Sequence, residues 1–227
     1  GPAPAAPQEK AQGAESPVTP APEQTKAPAE EKAGQSQAKP GSLAALMEQD
    51  TVLILALQDR GVSMGSGFFI AKDTILTNAH VVGAASQAVF INKKIGQVRN
   101  ATVLLRTQEQ GLDFAVLKTD PMDVTPLKIS TQTVERTTKV SAWGYPGMVA
   151  NSDPKFLKLL HGDASSAPEV VYTEGTVSVI LDRRPPIIVH SATVSQGNSG
   201  GPLLNILGEL IGINTAIYDR AQGIGFA

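Results

Sequence analysis

Residues 197–203 have the sequence Gly-Asn-Ser-Gly-Gly-Pro-Leu, and this stretch is more informative than any other in the chain. The glycines on both sides of Ser199 allow the backbone to turn sharply and allow a second molecule to approach closely. Such a turn presents the serine hydroxyl. A serine is an effective nucleophile only beside a base that takes its proton, so the chain must also supply a base and a group that orients it.

Two residues are candidates for these tasks. His80 follows the apolar segment 74–77, and a half-buried histidine without a catalytic role is the alternative when it is considered alone. Asp113 precedes the apolar segment 114–117, where a buried carboxylate needs a partner. Considered alone, Asp113 is equally compatible with a turn residue that caps its own backbone. Together with Ser199, the two residues complete the set that a Ser-His-Asp triad requires, in the order His, Asp, Ser.

The chain after residue 50 predicts an all-β fold. Short apolar segments rich in β-branched residues recur between turn residues, and the helical patterns that parallel βαβ units need are missing. This pattern indicates a barrel or a sandwich. Two short helices are predicted, one over residues 43–49 after Ser42 and one over 155–162 after Asp153. The predicted strands are 51–57, 66–70, 74–77, 88–91, 101–105, 114–117, 139–143, 170–173, 175–180, 187–190, 202–204 and 210–214.

Residues 1–42 have a different composition from the rest of the chain. They hold half of the 16 prolines and no aromatic residue, among interspersed Ala, Glu, Lys and Gln. Such a segment cannot bury enough apolar surface to offset the entropy lost on ordering. We therefore predict a disordered linker over residues 1–42, followed by one domain over residues 43–227.

Composition excludes several classes of function. The formal net charge of −2 provides no basic footprint for nucleic acid. No apolar segment reaches the ~20 residues that cross a bilayer as a helix. The chain has no cysteine, which excludes thiol nucleophiles, disulfides and zinc-thiolate sites. His161 and His190 are too few to indicate a metal site, and we predict no metal and no cofactor.

The chain resembles trypsin-fold serine proteases of the bacterial HtrA/Deg-like branch. This resemblance implies two six-stranded antiparallel β-barrels of the trypsin/chymotrypsin type, over about residues 43–128 and 129–227, with the active site between them and few short helices. The matching stretches cover nearly all of residues 50–227 in family order and are 65–68, 77–82, 113–118, 144–146, 175–178, 196–203, 212–216 and 223–227.

The resemblance also implies roles for individual residues. It makes Ser199 the nucleophile, His80 the general acid and base, and Asp113 the residue that orients His80. It places the backbone N–H groups of Gly197 and Ser199 in an oxyanion hole. No metal or cofactor takes part in this chemistry.

The resemblance further implies how a polypeptide substrate binds. Thr193 stands six residues before Ser199, where enzymes that cleave after Arg or Lys carry an acidic residue. We therefore expect a preference for a small or medium aliphatic residue before the scissile bond. The residues assigned to substrate binding are Thr193, Asn198, Thr215, Ala216, Ile217 and Tyr218.

Departures from the family pattern leave a second function open. Ser191 and Ser195 stand where relatives often have Asp and Asn, and residues 147–173 form an insertion that either regulates the site or has no role. The alternative to an active endopeptidase is therefore a catalytically silent scaffold that binds peptides.

The resemblance also carries expectations about location and partners. It implies protein quality control or regulated processing in the bacterial periplasm or cell envelope, with unfolded or misfolded proteins as substrates. The N-terminal linker would suit a tether to the inner membrane. Trimers are common in the family, so a homotrimer is an open alternative to a monomer.

Overall fold

The computed structural model describes residues 40–109, 111–145, 147, 154–215 and 225–226, so the predicted linker lies almost wholly outside the described residues. The described chain is mostly β-structure with few short helices, as predicted. In chain order the elements are α1 (Pro40–Asp50), β1 (Thr51–Gln58), β2 (Gly61–Ala71), β3 (Thr74–Thr77), α2 (Ala79–Val82), β4 (Gln87–Ile91), β5 (Arg99–Thr107), β6 (Phe114–Lys118), β7 (Lys139–Gly144), α3 (Pro154–Leu160), a 3-10 turn (Ala164–Ser166), β8 (Val171–Leu181), β9 (Ile187–His190), β10 (Pro202–Asn205), β11 (Leu210–Ile213) and β12 (Gly225–Phe226).

The first six strands form a closed antiparallel barrel in the order β1-β2-β3-β6-β5-β4. Alternate residues of β1, including Val52 and Ile54, enter its core and pack among Phe69, Phe90 and Leu117. This alternation follows from the two-residue period of a strand. The barrel confirms the prediction of a six-stranded barrel in the first half of the chain.

Strand β1 is buried on both faces. Its intervening residues Leu53 and Leu55 point out of the barrel, where Phe156 and Leu159 of α3 cover them. A strand covered on both sides has a continuous apolar sequence rather than an alternating one. The segment Thr-Val-Leu-Ile-Leu-Ala at the start of β1 has this character, and α3 thereby contacts the first barrel.

The second half forms a six-stranded sheet in the order β11-β10-β7-β8-β9-β12. Val140, Ala142, Val177 and Leu203 are among the residues in its core. Within the described residues β11 and β12 are the two edges and do not pair with each other. The six strands agree with the prediction, whereas closure into a second barrel is not seen in this part of the chain.

Two details differ from the sequence-based prediction. The segments 170–173 and 175–180 form the single strand β8. Gly175 lies inside this strand at a point where a Cβ would collide with the backbone N of Ala192, so the position requires a residue without a side chain. Helix α1 begins at Pro40, three residues before the predicted start, and proline suits the first turn because it lacks an N–H to satisfy.

Helix α3 is confirmed at Pro154–Leu160, and its predicted cap Asp153 lies outside the described residues. Gly162 follows the helix with φ +88° and donates its N–H to the carbonyl of Leu159 at 2.9 Å, an ending typical of helices. No helix in the described ranges is long and apolar enough to cross a membrane.

Candidate active site

His80 is presented by the short helix α2 at the end of strand β3. Ala79, Val81 and Val82 are buried in the first barrel, and this fixes the helix and leaves His80 with 39% of its side chain exposed. Gly83, with φ +53°, ends the helix by donating its N–H to the carbonyl of Ala79 at 2.8 Å. The imidazole therefore stands on a rigid support with its ring in contact with solvent.

Asp113 lies just before β6 and holds His80 in two ways. Its Oδ2 lies 2.6 Å from His80 Nδ1, and its Oδ1 accepts the backbone N–H of His80 at 3.1 Å. Partial burial favours the neutral carboxyl, but the hydrogen bonds from the ring and backbone of His80 outweigh it and hold the pKa of Asp113 below its ordinary value. An ionised carboxylate only accepts hydrogen bonds, so the proton of the neutral ring is on Nδ1 and Nε2 is an acceptor.

Asn78 connects this pair to the segment that follows β11 and was not identified as a site residue from the sequence. It is fully buried, and its Nδ2 donates to the carbonyl of Asp113 at 2.7 Å and to Thr215 Oγ1 at 3.1 Å. The sequence signal that could have indicated its role is a polar residue at the end of an apolar strand, two positions before His80. Asn78 therefore fixes the backbone of Asp113 relative to Thr215.

Main-chain hydrogen bonds hold the turn that carries Ser199 between the two β-structures. The carbonyl of Ser199 accepts the N–H of Ser66 in β2 at 2.8 Å, and the N–H of Gly200 donates to the carbonyl of Asn214 at 2.8 Å. A Cβ on Gly200 would collide with the carbonyl of Ser66, and one on Gly201 would collide with that of Trp143. Both glycines are therefore required for close backbone contact.

The turn of Ser199 and the helix of His80 are direct neighbours. A Cβ on Gly65 would lie 2.5 Å from Val81 Cγ2 and 3.0 Å from the carbonyl oxygen of Ser199. Ser199 is 5% exposed. The three residues predicted as a triad thus come from helix α2, the segment before β6 and the turn of Ser199, and His80 and Asp113 are in direct contact.

The peptide groups on either side of Gly197 have defined orientations. The carbonyl of Gln196 accepts the N–H of Gly147 at 2.7 Å, and the carbonyl of Gly197 accepts the hydroxyl of Ser66 at 2.6 Å. The N–H and C=O of a trans peptide point in opposite directions, so the Gly197 N–H points away from Gly147. It donates to no acceptor among the described residues.

Gly197 cannot be replaced by a larger residue without moving the loop. Its φ of +96° lies in the region that favours glycine, and a Cβ there would collide with the backbone of Gly147. This steric reason lies within the fold, whereas the sequence had suggested a sharp backbone turn and the close approach of a second molecule.

The predicted substrate-binding residues are spread around this loop. Thr193 is exposed, and its carbonyl accepts the hydroxyl of Thr173 at 2.7 Å. Asn198 is 4% exposed, and its N–H donates to the carbonyl of Ser195 at 3.0 Å. Thr215 is half-buried against Asn78. The predicted residues Ala216, Ile217 and Tyr218 lie outside the described residues.

Ser191, where relatives often have Asp, is joined to β8. Its N–H donates to the carbonyl of Thr176 at 3.0 Å, and its Oγ accepts the N–H of Thr176 at 2.9 Å. The hydroxyl therefore joins the start of the segment that leads to Ser199 to strand β8.

The other two histidines lie outside this arrangement of contacts. His190 is fully buried, and neither ring nitrogen has a hydrogen bond of normal geometry within the described residues. Burial lowers the pKa of His190 to about 4, and the backbone of Ala192 only partly opposes this. His161 is exposed just after α3. The described residues contain no group of three or more His, Asp or Glu side chains placed to hold a metal ion.

Similar proteins are found by sequence and by structure. Residues 65–213 match the family described as trypsin-like peptidase domain. The chain is 38% identical over 176 residues to the putative serine protease HhoA of a Synechocystis strain, covering 74% of this chain and 40% of that protein. It is 34% identical over 174 residues to a probable periplasmic serine endoprotease, DegP-like, of Hahella chejuensis, covering 73% of this chain and 33% of that protein.

The fold resembles the crystal structure of the serine endoprotease from Yersinia pestis. The TM-score is 0.65 at 27% identity, over 85% of this chain and 63% of that chain. Together the matches confirm the resemblance to HtrA/Deg-like proteases that the motifs indicated. The chain spans 40% or less of the length of the two curated relatives.

Proposed function

The chain belongs to the trypsin-like peptidase family, and on this premise we propose that it is a serine endopeptidase of the HtrA/Deg-like type. The observation that carries the proposal is the His80–Asp113 pair, with Nδ1 and Oδ2 2.6 Å apart, beside the glycine turn of Ser199. A neutral ring with its proton fixed on Nδ1 leaves Nε2 available as a base. This is the tautomer that activation of a serine requires.

The first half of the proposed reaction forms an acyl-enzyme. Ser199 Oγ attacks the carbonyl carbon of the scissile peptide while His80 Nε2 takes its proton, and the carboxylate of Asp113 stabilises the imidazolium. The N–H groups of Gly197 and Ser199 would bind the oxygen that becomes negative. The C–N bond then breaks as His80 returns the proton to the leaving amine.

The second half regenerates the enzyme. A water molecule gives a proton to His80 Nε2 and attacks the acyl carbon, and a second tetrahedral intermediate forms at the same oxyanion position. Its collapse releases the new carboxyl terminus, and the proton returns from His80 to Ser199 Oγ. No group beyond the three side chains and the two N–H groups is needed for proton balance.

For substrates, we propose polypeptides with a small or medium aliphatic residue before the scissile bond. Thr193 is uncharged and exposed beside the nucleophile loop, which supports a pocket without a counter-charge for Arg or Lys. A peptide library would test this directly: enrichment of Val, Ala or Leu at that position is expected, and a profile dominated by Arg or Lys would contradict it.

The proposal extends to architecture and biology. We take the domain as two six-stranded barrels over about residues 43–128 and 129–227, supported by the closed first barrel and by the six strands of the second sheet. A relative named as a DegP-like periplasmic serine endoprotease supports cleavage of polypeptides in the bacterial envelope. Oligomerisation as a trimer is part of this proposal and is tested by sedimentation.

Labelling with a fluorophosphonate tests whether Ser199 is an activated nucleophile. The wild-type protein should be labelled, Ser199→Ala should not, and His80→Ala should be labelled far more slowly. Ser195→Ala is a matched control, because it removes a hydroxyl from the same loop and should leave labelling unchanged. Failure to label the folded wild-type protein would contradict the proposal and favour a catalytically silent peptide-binding scaffold.

A further inference from the structure

Ser66 is a fully buried residue of β2 that connects the first barrel to the nucleophile loop. We propose that the hydroxyl of Ser66 is a positioning group that sets the orientation of the peptide between Gly197 and Asn198. Its consequence for catalysis rests on the proposed function, because that peptide adjoins the proposed oxyanion donor. The orientation of the peptide can be measured independently of any activity.

The first support is the complete use of the hydroxyl. Ser66 Oγ donates to the carbonyl of Gly197 at 2.6 Å and accepts the N–H of Tyr145 at 2.8 Å. The backbone of Ser66 is equally engaged, because its N–H donates to the carbonyl of Ser199 and its carbonyl accepts the hydroxyl of Thr77 at 2.6 Å. Both hydrogen-bonding functions of the buried hydroxyl are therefore directed at loops of the second half of the chain.

The second support is the space made for this hydroxyl. A Cβ on Gly144 would lie 2.8 Å from Ser66 Oγ and 3.0 Å from the Cα of Asn198. A larger residue at position 144 would thus force Ser66 Oγ or the loop to move. The absence of a side chain at Gly144 lets β7, Ser66 and the nucleophile loop approach one another.

The third support is the intrinsic freedom of the loop at Gly197. A glycine imposes little steric restriction on rotation of its neighbouring peptides. The peptide between Gly197 and Asn198 is held at both ends, by Ser66 Oγ on the carbonyl and by the carbonyl of Ser195 on the Asn198 N–H at 3.0 Å. The hydroxyl of Ser66 thus supplies a restriction that the glycine does not.

Loss of the hydroxyl should therefore affect the transition state more than substrate binding. Removing one oxyanion donor typically lowers kcat by about 10²–10³-fold. We expect Ser66→Ala to lower kcat by up to this factor and to leave KM within about threefold, because the interaction it supports is made mainly in the transition state.

Hydrogen exchange of the Asn198 amide provides the readout that does not depend on activity. This N–H shares its planar peptide with the carbonyl that Ser66 holds, so rotation of the peptide removes it from the carbonyl of Ser195. In Ser66→Ala, we expect its protection factor, measured by NMR, to fall by about tenfold or more. The Asn214 N–H, which donates to the carbonyl of Gly201 at 2.8 Å, should change much less.

Ser130→Ala is the matched control. Its hydroxyl also makes both kinds of hydrogen bond, donating to Glu209 Oε2 at 3.0 Å and accepting from Asn205 Nδ2 at 3.3 Å, without a contact to the nucleophile loop. It should leave both kcat and the protection of Asn198 unchanged. Ser66→Cys keeps a weak donor in a similar volume and should give an intermediate result. If Ser66→Ala does not fold, the same measurements are made on Ser66→Cys.

The outcomes are distinct. Unchanged protection of Asn198 in a folded Ser66 variant overturns the positioning role, as does a wild-type Asn198 amide that exchanges at the rate of an exposed loop. Reduced protection in Ser66→Ala with an inactive wild-type protein supports the positioning role and contradicts the proposed function. Reduced protection together with a selective loss of kcat supports both.

Discussion

Asp50 makes the stability of this protein depend on pH in an unusual direction. It is fully buried at the end of α1, and neither carboxyl oxygen has a hydrogen bond of normal geometry within the described chain. Burial raises the pKa of Asp50 to about 8 from 3.8, and the backbone N–H of Phe69 only partly opposes this. The carboxyl is therefore mainly neutral in the folded protein at pH 7, but it is ionised in the unfolded chain.

The sign and size of the effect follow from linkage. Between the two pKa values the folded state holds a proton that the unfolded state has lost, so the free energy of unfolding falls as pH rises, by about 1.4 kcal/mol per unit. From about pH 5 to about pH 8 the contribution of Asp50 falls by about 4 kcal/mol. The full contribution is present below 3.8 and is lost above about 8.

Asp50→Asn removes this titration while keeping the shape of the side chain. The free energy of unfolding should be measured by urea denaturation at both pH values, with the fluorescence of the single tryptophan, Trp143, as the signal. The difference in free energy of unfolding, variant minus wild type, should be about 4 kcal/mol more positive at about pH 8 than at about pH 5. Asp73→Asn is the control, because an ion pair with Lys118 lowers the pKa of Asp73 and keeps it ionised in this range. An Asp50→Asn difference that is the same at both pH values would refute the reasoning.

Three further predictions concern the site. Asp113→Asn should lower kcat by about 10⁴-fold in a peptide hydrolysis assay, because the amide disfavours the required tautomer; retention of a tenth of the activity would exclude this role. Asn78→Ala removes the donor to Asp113 and Thr215, and kcat/KM should fall by about tenfold or more, since a buried acceptor loses its partner at a cost of about 1–3 kcal/mol. Gly201→Ala should lower the free energy of unfolding by at least about 3 kcal/mol, because its Cβ would collide with the carbonyl oxygen of Trp143 in β7. Gly111→Ala is the control: its Cβ meets open space, and the change should cost about 1 kcal/mol. Equal urea midpoints for the two variants would contradict this.

The strand pattern was predictable because burial imposes it locally. The apolar segments at β1, β6 and β9 each correspond to observed strands, and α3 was recognised from proline at its start and Gly162 after its end. The single strand β8 was predicted as two strands, with the gap between them at Glu174. Gly175, next to this gap, permits contact with the backbone of Ala192, which lies on another segment and leaves no local signal.

The candidate site could be predicted where its proposed chemistry requires particular side chains, and less so where it depends on supporting contacts. His80, Asp113 and Ser199 were proposed from the sequence because a nucleophile needs a base and an orienting carboxylate, and the structure brings His80 and Asp113 into contact. Asn78 and Ser66 were missed as supporting residues because their partners are distant in sequence. The hydroxyl of Ser66 and the carbonyl of Gly197 are 131 residues apart.

The main-chain anchoring of the Ser199 turn has a consequence for how this lineage can diverge. Backbone atoms make the contacts that hold residue 199 to β2, whereas its proposed chemistry resides in the hydroxyl. A single substitution of residue 199 would remove the hydroxyl, and with it the proposed turnover, while these backbone contacts persist. Inactive descendants that keep the fold should therefore arise readily, whereas changes at Gly200 or Gly201 would be removed by selection for folding.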